Sequence, residues 1–88
     1  MRVQVRYFAS LREALGAVEG VDLAPLGAQA PATVGALRLW LAERSPAHRE
    51  RLGPSMAVRA ACDQSLCGPD HPLHDGAEVA FFPPVTGG

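Results

Sequence analysis

The residues with the plainest chemical meaning are the last two, Gly87 and Gly88. They follow an apolar run, Glu78-Val79-Ala80-Phe81-Phe82, that is cut off by Pro83-Pro84 and continued by Val85-Thr86. Two glycines in succession leave bare backbone, thin enough to enter a narrow tunnel. A chain-terminal carboxylate, with a pKa near ~3.5, is anionic at neutral pH and acylates poorly. It reacts only after activation, for instance as a mixed anhydride with phosphate, and side-chain-free neighbours let an enzyme close around the carbonyl. Six residues beyond Phe82 reach ~20 Å when extended, at about 3.3 Å each. Pro83-Pro84 stiffens the base of that arm and prevents its pairing into a sheet. A frayed end is the competing reading, but such ends are usually charged and mixed, and this one is neither. The expected division is a folded domain over 1–82 and an extended tail over 83–88.

A second chemistry-bearing stretch is Asp70-His71-Pro72-Leu73-His74-Asp75-Gly76, with Cys62 and Cys67 shortly before it. Structural zinc favours paired short spacings such as C-x2-C, which this chain lacks. Pro72, Gly76 and the aspartates read instead as turn chemistry, and no metal is expected. There is no C-x-x-C for redox work, and both cysteines fall in apolar runs where small buried residues are common. Ser55 and Ser65 lack the glycine-flanked elbow of a serine hydrolase.

These groups must be positioned by a small set of elements. Arg2 to Phe8 alternates, with Val3, Val5 and Tyr7 on one side and Arg2, Gln4, Arg6 and Phe8 on the other, as in a half-buried strand. Ser10 and Glu13 fit a capping box for a short helix ending at Gly16. Val18 to Leu23 forms a second strand, antiparallel to the first, and Ala24 to Ala32 a loop. Thr33 caps the main helix, on which Val34, Leu37, Trp40 and Leu41 share the core face while Arg38, Glu43 and Arg44 lie off it. Ser45-Pro46 stops that helix and starts another turn. Met56 to Cys62 and Ser65 to Cys67 read as strands joined by an Asp63-Gln64 turn, and Glu78 to Phe82 as the last strand. The first and last strands are apolar enough to be central. The class is α+β: a mixed sheet with one main helix packed across it and a flexible Gly-Gly tail.

Alternation also puts Phe8 and Phe82 on the nominally polar side of their strands, and Leu66 joins them if its strand follows the same pleat. Apolar residues so placed mark a partner surface, unless a loop or the tail folds over them.

Composition excludes several functions. The 88 residues, 48% hydrophobic, make one domain with its own core. A net charge of −1 with interspersed signs argues against nucleic acid as a partner. No apolar run suits a membrane span, and the charged N-terminus is unlike a signal peptide, so a cytoplasmic protein is expected. Every one of the eight basic residues is arginine. The absence of lysine rules out a Walker-type phosphate loop, a Schiff-base enzyme and an acceptor for isopeptide chains.

Arg6-Tyr7-Phe8-Ala9 with Leu11-Arg12-Glu13, then Asp70-His71-Pro72-Leu73, Asp75-Gly76 and Glu78 through Gly88, resemble the small subunits of molybdopterin synthase, a family of ubiquitin-like sulfur carriers. The likeness runs along nearly the whole chain and is most specific in Val79-Ala80-Phe81-Phe82-Pro83-Pro84-Val85-Thr86-Gly87-Gly88. It implies a ubiquitin-like β-grasp fold. It implies that Gly88 is adenylated by an E1-like activating enzyme using ATP, converted to a thiocarboxylate, and inserted into the large catalytic subunit to build the pterin dithiolene. No cofactor is expected on the chain itself, which is no enzyme alone. Gly87 gives access; Phe8, Arg12, Leu66, Phe82, Pro83, Pro84, Val85 and Thr86 are the implied partner contacts. The sequence departs from the family at Cys62, Asp63, Cys67 and Gly68-Pro69, and His74 falls where the family fixes no residue. The rival readings are a carrier for tRNA thiolation or thiamine synthesis, a ubiquitin-like modifier or binding module that is never thiolated, and a metal-binding protein using His71 and His74.

Overall fold

The computed structural model describes residues 1–84; the expectations for Val85, Thr86, Gly87 and Gly88 lie outside the described residues. The elements run β1 (Arg2–Tyr7), α1 (Ala9–Leu15), β2 (Val18–Asp22), a 3-10 segment (Ala24–Gln29), α2 (Val34–Ala42), α3 (Pro46–Leu52), β3 (Arg59–Cys62), β4 (Ser65–Cys67) and β5 (Glu78–Phe82). The strands form one sheet in the order β2-β1-β5-β3-β4. β1 and β5 are parallel neighbours at its centre, in register from Gln4↔Glu78 to Tyr7↔Phe81, and the other pairings are antiparallel. This is the ubiquitin-like β-grasp arrangement, with the first and last strands side by side.

Strand alternation builds the core. Val3, Val5 and Tyr7 of β1 and Val79 and Phe81 of β5 meet Val34, Leu37 and Leu41 of α2, together with Leu11, Leu23 and Leu52. Leu37 and Leu41 are fully buried, as the helical spacing requires. Thr33 caps α2 as expected, its hydroxyl accepting from the Ala36 amide at 3.1 Å. Gly35 lets α2 approach the 68–76 loop closely. Its amide donates to the Pro69 carbonyl at 2.8 Å, and a Cβ there would stand 2.7 Å from the Pro69 Cβ.

Several boundaries differ from those expected. Ser10 is not a cap: Phe8 occupies that position with extended dihedrals, and its carbonyl accepts from Leu11 and Arg12 at 3.1 and 3.4 Å. Ala9, at φ 53°, makes the bend, a left-handed conformation costing a non-glycine residue roughly 1 kcal/mol. Residues 24–29, expected as loop, form two short 3-10 turns that meet at a kink at Gly27, φ 53°. At the end of α2 the expectation holds: the helix stops at Ala42, and Ser45-Pro46 opens the next one, the Ser45 hydroxyl capping α3 by accepting from the His48 amide at 3.1 Å.

Met56 to Val58 lies outside β3. Two causes are visible. β5 supplies no partner beyond Arg59↔Phe82, because Pro83 has no amide to offer. In addition, the Arg38 guanidinium donates to the carbonyls of Leu52, Gly53 and Met56 at 2.9, 2.8 and 2.6 Å, bracketing the Pro54-Ser55 turn and occupying the Met56 carbonyl. Trp40 is half-buried at the margin of the core, with the Arg44 guanidinium 5.2 Å from its ring centre.

Candidate functional site

The outer face of the sheet is the candidate site. Pairing puts Arg6, Ala80, Ala61 and Leu66 in one row across β1, β5, β3 and β4. Phe82, paired with Arg59, lies in the next row, beyond Ala80. Phe8 follows directly after β1, its amide bonded to the Phe81 carbonyl at 3.2 Å. Phe8 is 41% and Leu66 67% exposed; Phe82 is half-buried. Phe8, Phe82, Ala80 and Ala61 border a shallow depression of about 540 Å³ with Arg6, Gln64 and Glu78 on its margin. The three apolar residues singled out by alternation therefore share one face.

Charge frames the apolar centre. The Arg6 guanidinium stands 5.8 Å from the Phe8 ring centre and 3.8 Å from the Glu78 carboxylate. An apolar patch with a charged margin is the usual composition of a protein-docking surface. Arg12 is exposed on α1, one turn after Phe8, and does not line the depression. Pro83 and Pro84 are half-buried where the chain leaves β5, beside Phe82.

Three polar arrangements carry no signal in local sequence. Glu19 on β2 accepts from the Tyr7 hydroxyl at 2.7 Å and from Arg44 at 3.0 Å, and faces His48 Nε2 at 3.1 Å. The other ring nitrogen of His48 faces the Ser45 hydroxyl at 2.8 Å. This network ties the β1–β2 hairpin to the start of α3. Burial, reinforced by the Glu19 carboxylate, raises the Tyr7 pKa far above the phenol range. The Arg38 clamp is the second arrangement. The third is the contact between His74 Nε2 and Asp63 Oδ2 at 2.6 Å, which raises the pKa of His74 and lowers that of Asp63.

Both cysteines are free thiols against the core, Cys62 buried and Cys67 partly so, and burial raises the pKa of each. The His71 backbone carbonyl accepts from the Val34 amide at 2.9 Å, and the His74 ring turns to Asp63. Among the described residues, no helix is long and apolar enough to cross a membrane.

Comparison with known proteins agrees with this geometry. The ThiS family model matches residues 5–88. The molybdopterin synthase sulfur carrier subunit of Escherichia coli (strain K12) is 44% identical over 86 residues, covering 98% of this chain and 99% of that protein. The complex of subunits 1 and 2 of molybdopterin-converting factor from Helicobacter pylori 26695 contains a chain that is 27% identical, with a TM-score of 0.66 and coverage of 100% of both chains. SAMP1 from Haloferax volcanii is 25% identical with a TM-score of 0.70, again over 100% of both. With a β-grasp sheet, an apolar outer face and relatives aligned over almost its whole length, the chain belongs to the ThiS family.

Proposed function

We propose that this chain is the sulfur-carrier subunit of a molybdopterin synthase, with Gly88 as the covalent carrier. An E1-like enzyme joins the Gly88 carboxylate to the AMP moiety of ATP, releasing pyrophosphate. A sulfur donor then displaces AMP, leaving a thiocarboxylate. The large catalytic subunit takes sulfur from that group for the dithiolene of the pterin, and the carrier returns to a carboxylate. The chain supplies no catalytic side chain in this scheme; it presents an acyl group and a docking surface.

The observation that carries the reading is positional. β5 leads out of the apolar outer face directly into Pro83-Pro84 and the glycines, so one element supplies both the docking residue Phe82 and the root of the tail. Phe8, Leu66 and Phe82 are the contacts for the large subunit, Arg12 adds a polar contact, and Pro83 through Thr86 set the reach of Gly87 and Gly88. The similarity to the Escherichia coli subunit supports the choice of pathway.

The similarity to SAMP1, whose name in full is small archaeal modifier protein 1, favours a second reading, a ubiquitin-like modifier. One experiment separates the two. The protein is incubated with ATP, its activating enzyme and a sulfur donor, and its intact mass is measured. The carrier reading expects one oxygen replaced by sulfur at Gly88. Addition of the large subunit and the pterin precursor then yields a dithiolene. Thiolation without dithiolene points to the tRNA or thiamine routes. Joining of Gly88 to another protein's amine, with no thiocarboxylate, points to a modifier.

A further inference from the structure

The chemistry that local spacing leaves out appears when two distant turns meet. The Asp63-Gln64 turn joins β3 to β4, and the loop before β5 brings His74 against it. We propose that Cys62, Asp63 and His74 form a binding site for a divalent transition-metal cation of the Zn²⁺ class, with water completing the coordination. The site lies at the start of β5, at the opposite end of that strand from Pro83. It is independent of the sulfur-carrier reading.

The geometry is close to what such a cation requires. One ligand atom from each residue lies within 4.8 Å of the other two. Tetrahedral zinc, with bonds of about 2.3 Å to sulfur and about 2.0–2.2 Å to nitrogen and oxygen, holds its ligand atoms roughly 3.3–3.6 Å apart. Cys62 Sγ stands 3.9 Å from Asp63 Oδ2, and His74 Nε2 stands 2.6 Å from the same oxygen. The first separation must close by a few tenths of an ångström and the second must open by less than one. The moving groups are the exposed side chains of Asp63 and His74, while Cys62 is anchored in β3.

The surroundings orient the ligands. His74 Nδ1 faces the Asp75 carbonyl at 2.9 Å, which holds a proton on Nδ1 and leaves Nε2, directed at the cluster, as the ring atom available to a cation. Asp63 Oδ1 accepts from the Glu78 amide at 3.1 Å, reserving Oδ2 for the cation. A mixed sulfur, nitrogen and oxygen set suits zinc and its first-row neighbours better than magnesium or calcium, which take oxygen ligands. An ion pair alone explains His74 beside Asp63, but it does not explain a thiol directed at the same oxygen. Without metal, the Cys62 thiol and His74 Nε2 both face Asp63 Oδ2; the cation takes the place of the protons held between these groups, which pass to solvent.

The test is titration of the full chain with Co²⁺ alone, as a coloured substitute for zinc. The proposal expects one equivalent bound, visible d–d bands, a near-ultraviolet thiolate-to-cobalt band, release of protons to a weak buffer and displacement by Zn²⁺. Cys62→Ser abolishes the thiolate band, with far-ultraviolet circular dichroism checking that the fold persists. His74→Ala, at an exposed position, weakens binding at least about tenfold, on the scale of ligand losses in metal sites. Cys67→Ser changes neither. Absence of a thiolate band in the unaltered protein, a band that disappears with Cys67 rather than Cys62, or unchanged affinity in His74→Ala each overturns the proposal.

Discussion

The two faces of the sheet use the same strands for opposite ends. On the helix side Val5 and Val79 are fully buried and Phe81 is 1% exposed. One residue further along, Phe82 belongs to the other face, with Phe8 and Leu66. Residues that differ by a single step in a period of two are divided between the core that holds the domain together and the outer face on which the proposed docking depends. Apolar character alone therefore says nothing about role in this chain; the side of the pleat decides.

The largest expected effect tests the outer face and its tail at their end point. Deleting Gly88 abolishes thiocarboxylate formation, read by intact mass, while the denaturant midpoint stays where it was. A shift in that midpoint would join the tail to the fold and erase the distinction. Next is the paired replacement of neighbouring phenylalanines. Phe81→Ala costs about 3–5 kcal/mol of stability in urea unfolding, the usual loss for a buried phenylalanine. Phe82→Ala costs ~1–3 kcal/mol of binding to the large subunit, measured calorimetrically, with a far smaller stability loss than Phe81→Ala. If the two variants unfold alike, the division between faces collapses.

Tyr7 sharpens the comparison from the buried side, since it is the chain's one tyrosine and its hydroxyl reaches Glu19. Its pKa in the folded protein is raised well above the ordinary phenol value of about 10. The unfolded chain thus loses this proton first as pH rises. The stabilisation is fully present below pH ~10 and declines progressively above it, toward the folded pKa. Unfolding midpoints on either side of pH ~10 show this decline, and Tyr7→Phe removes the tyrosine's share of it. Absorbance near the phenolate band should rise only when the fold is lost.

The smallest effect is at the β3–β4 turn, where Asp63 and Gln64 have φ of 50° and 70°. Gln64→Gly relieves one left-handed side chain and is expected to stabilise by up to about 1 kcal/mol in urea unfolding. A loss of stability instead would mean that the contacts of the Gln64 side chain, on the margin of the outer depression, outweigh its backbone strain.

Periodicity carried much of this architecture. Alternation in Arg2–Phe8 and Glu78–Phe82 identified both central strands and the two faces, and apolar spacing on Val34–Leu41 placed the main helix. What local pattern could not express were contacts between distant positions. The Arg38 clamp spans 14 to 18 residues, the Glu19–His48 contact 29 and the His74–Asp63 contact 11. The Arg38 clamp, by occupying the Met56 carbonyl, helps explain why Met56–Val58, apolar enough for a strand, stays outside β3. Ser10 shows the opposite error: a good local capping pattern was overridden because Ala9 bends the chain one residue too early.

The central position of β5 has a mechanical consequence. Its ladders run to β1 on one side and β3 on the other. Tension applied at Pro83 acts along the strand, across hydrogen bonds lying mainly transverse to it. Those bonds are loaded in shear, as a group, instead of being peeled apart singly. An enzyme that seizes the arm and holds the domain elsewhere therefore pulls on its most resistant seam, so the arm can be drawn taut without unravelling the strand behind it.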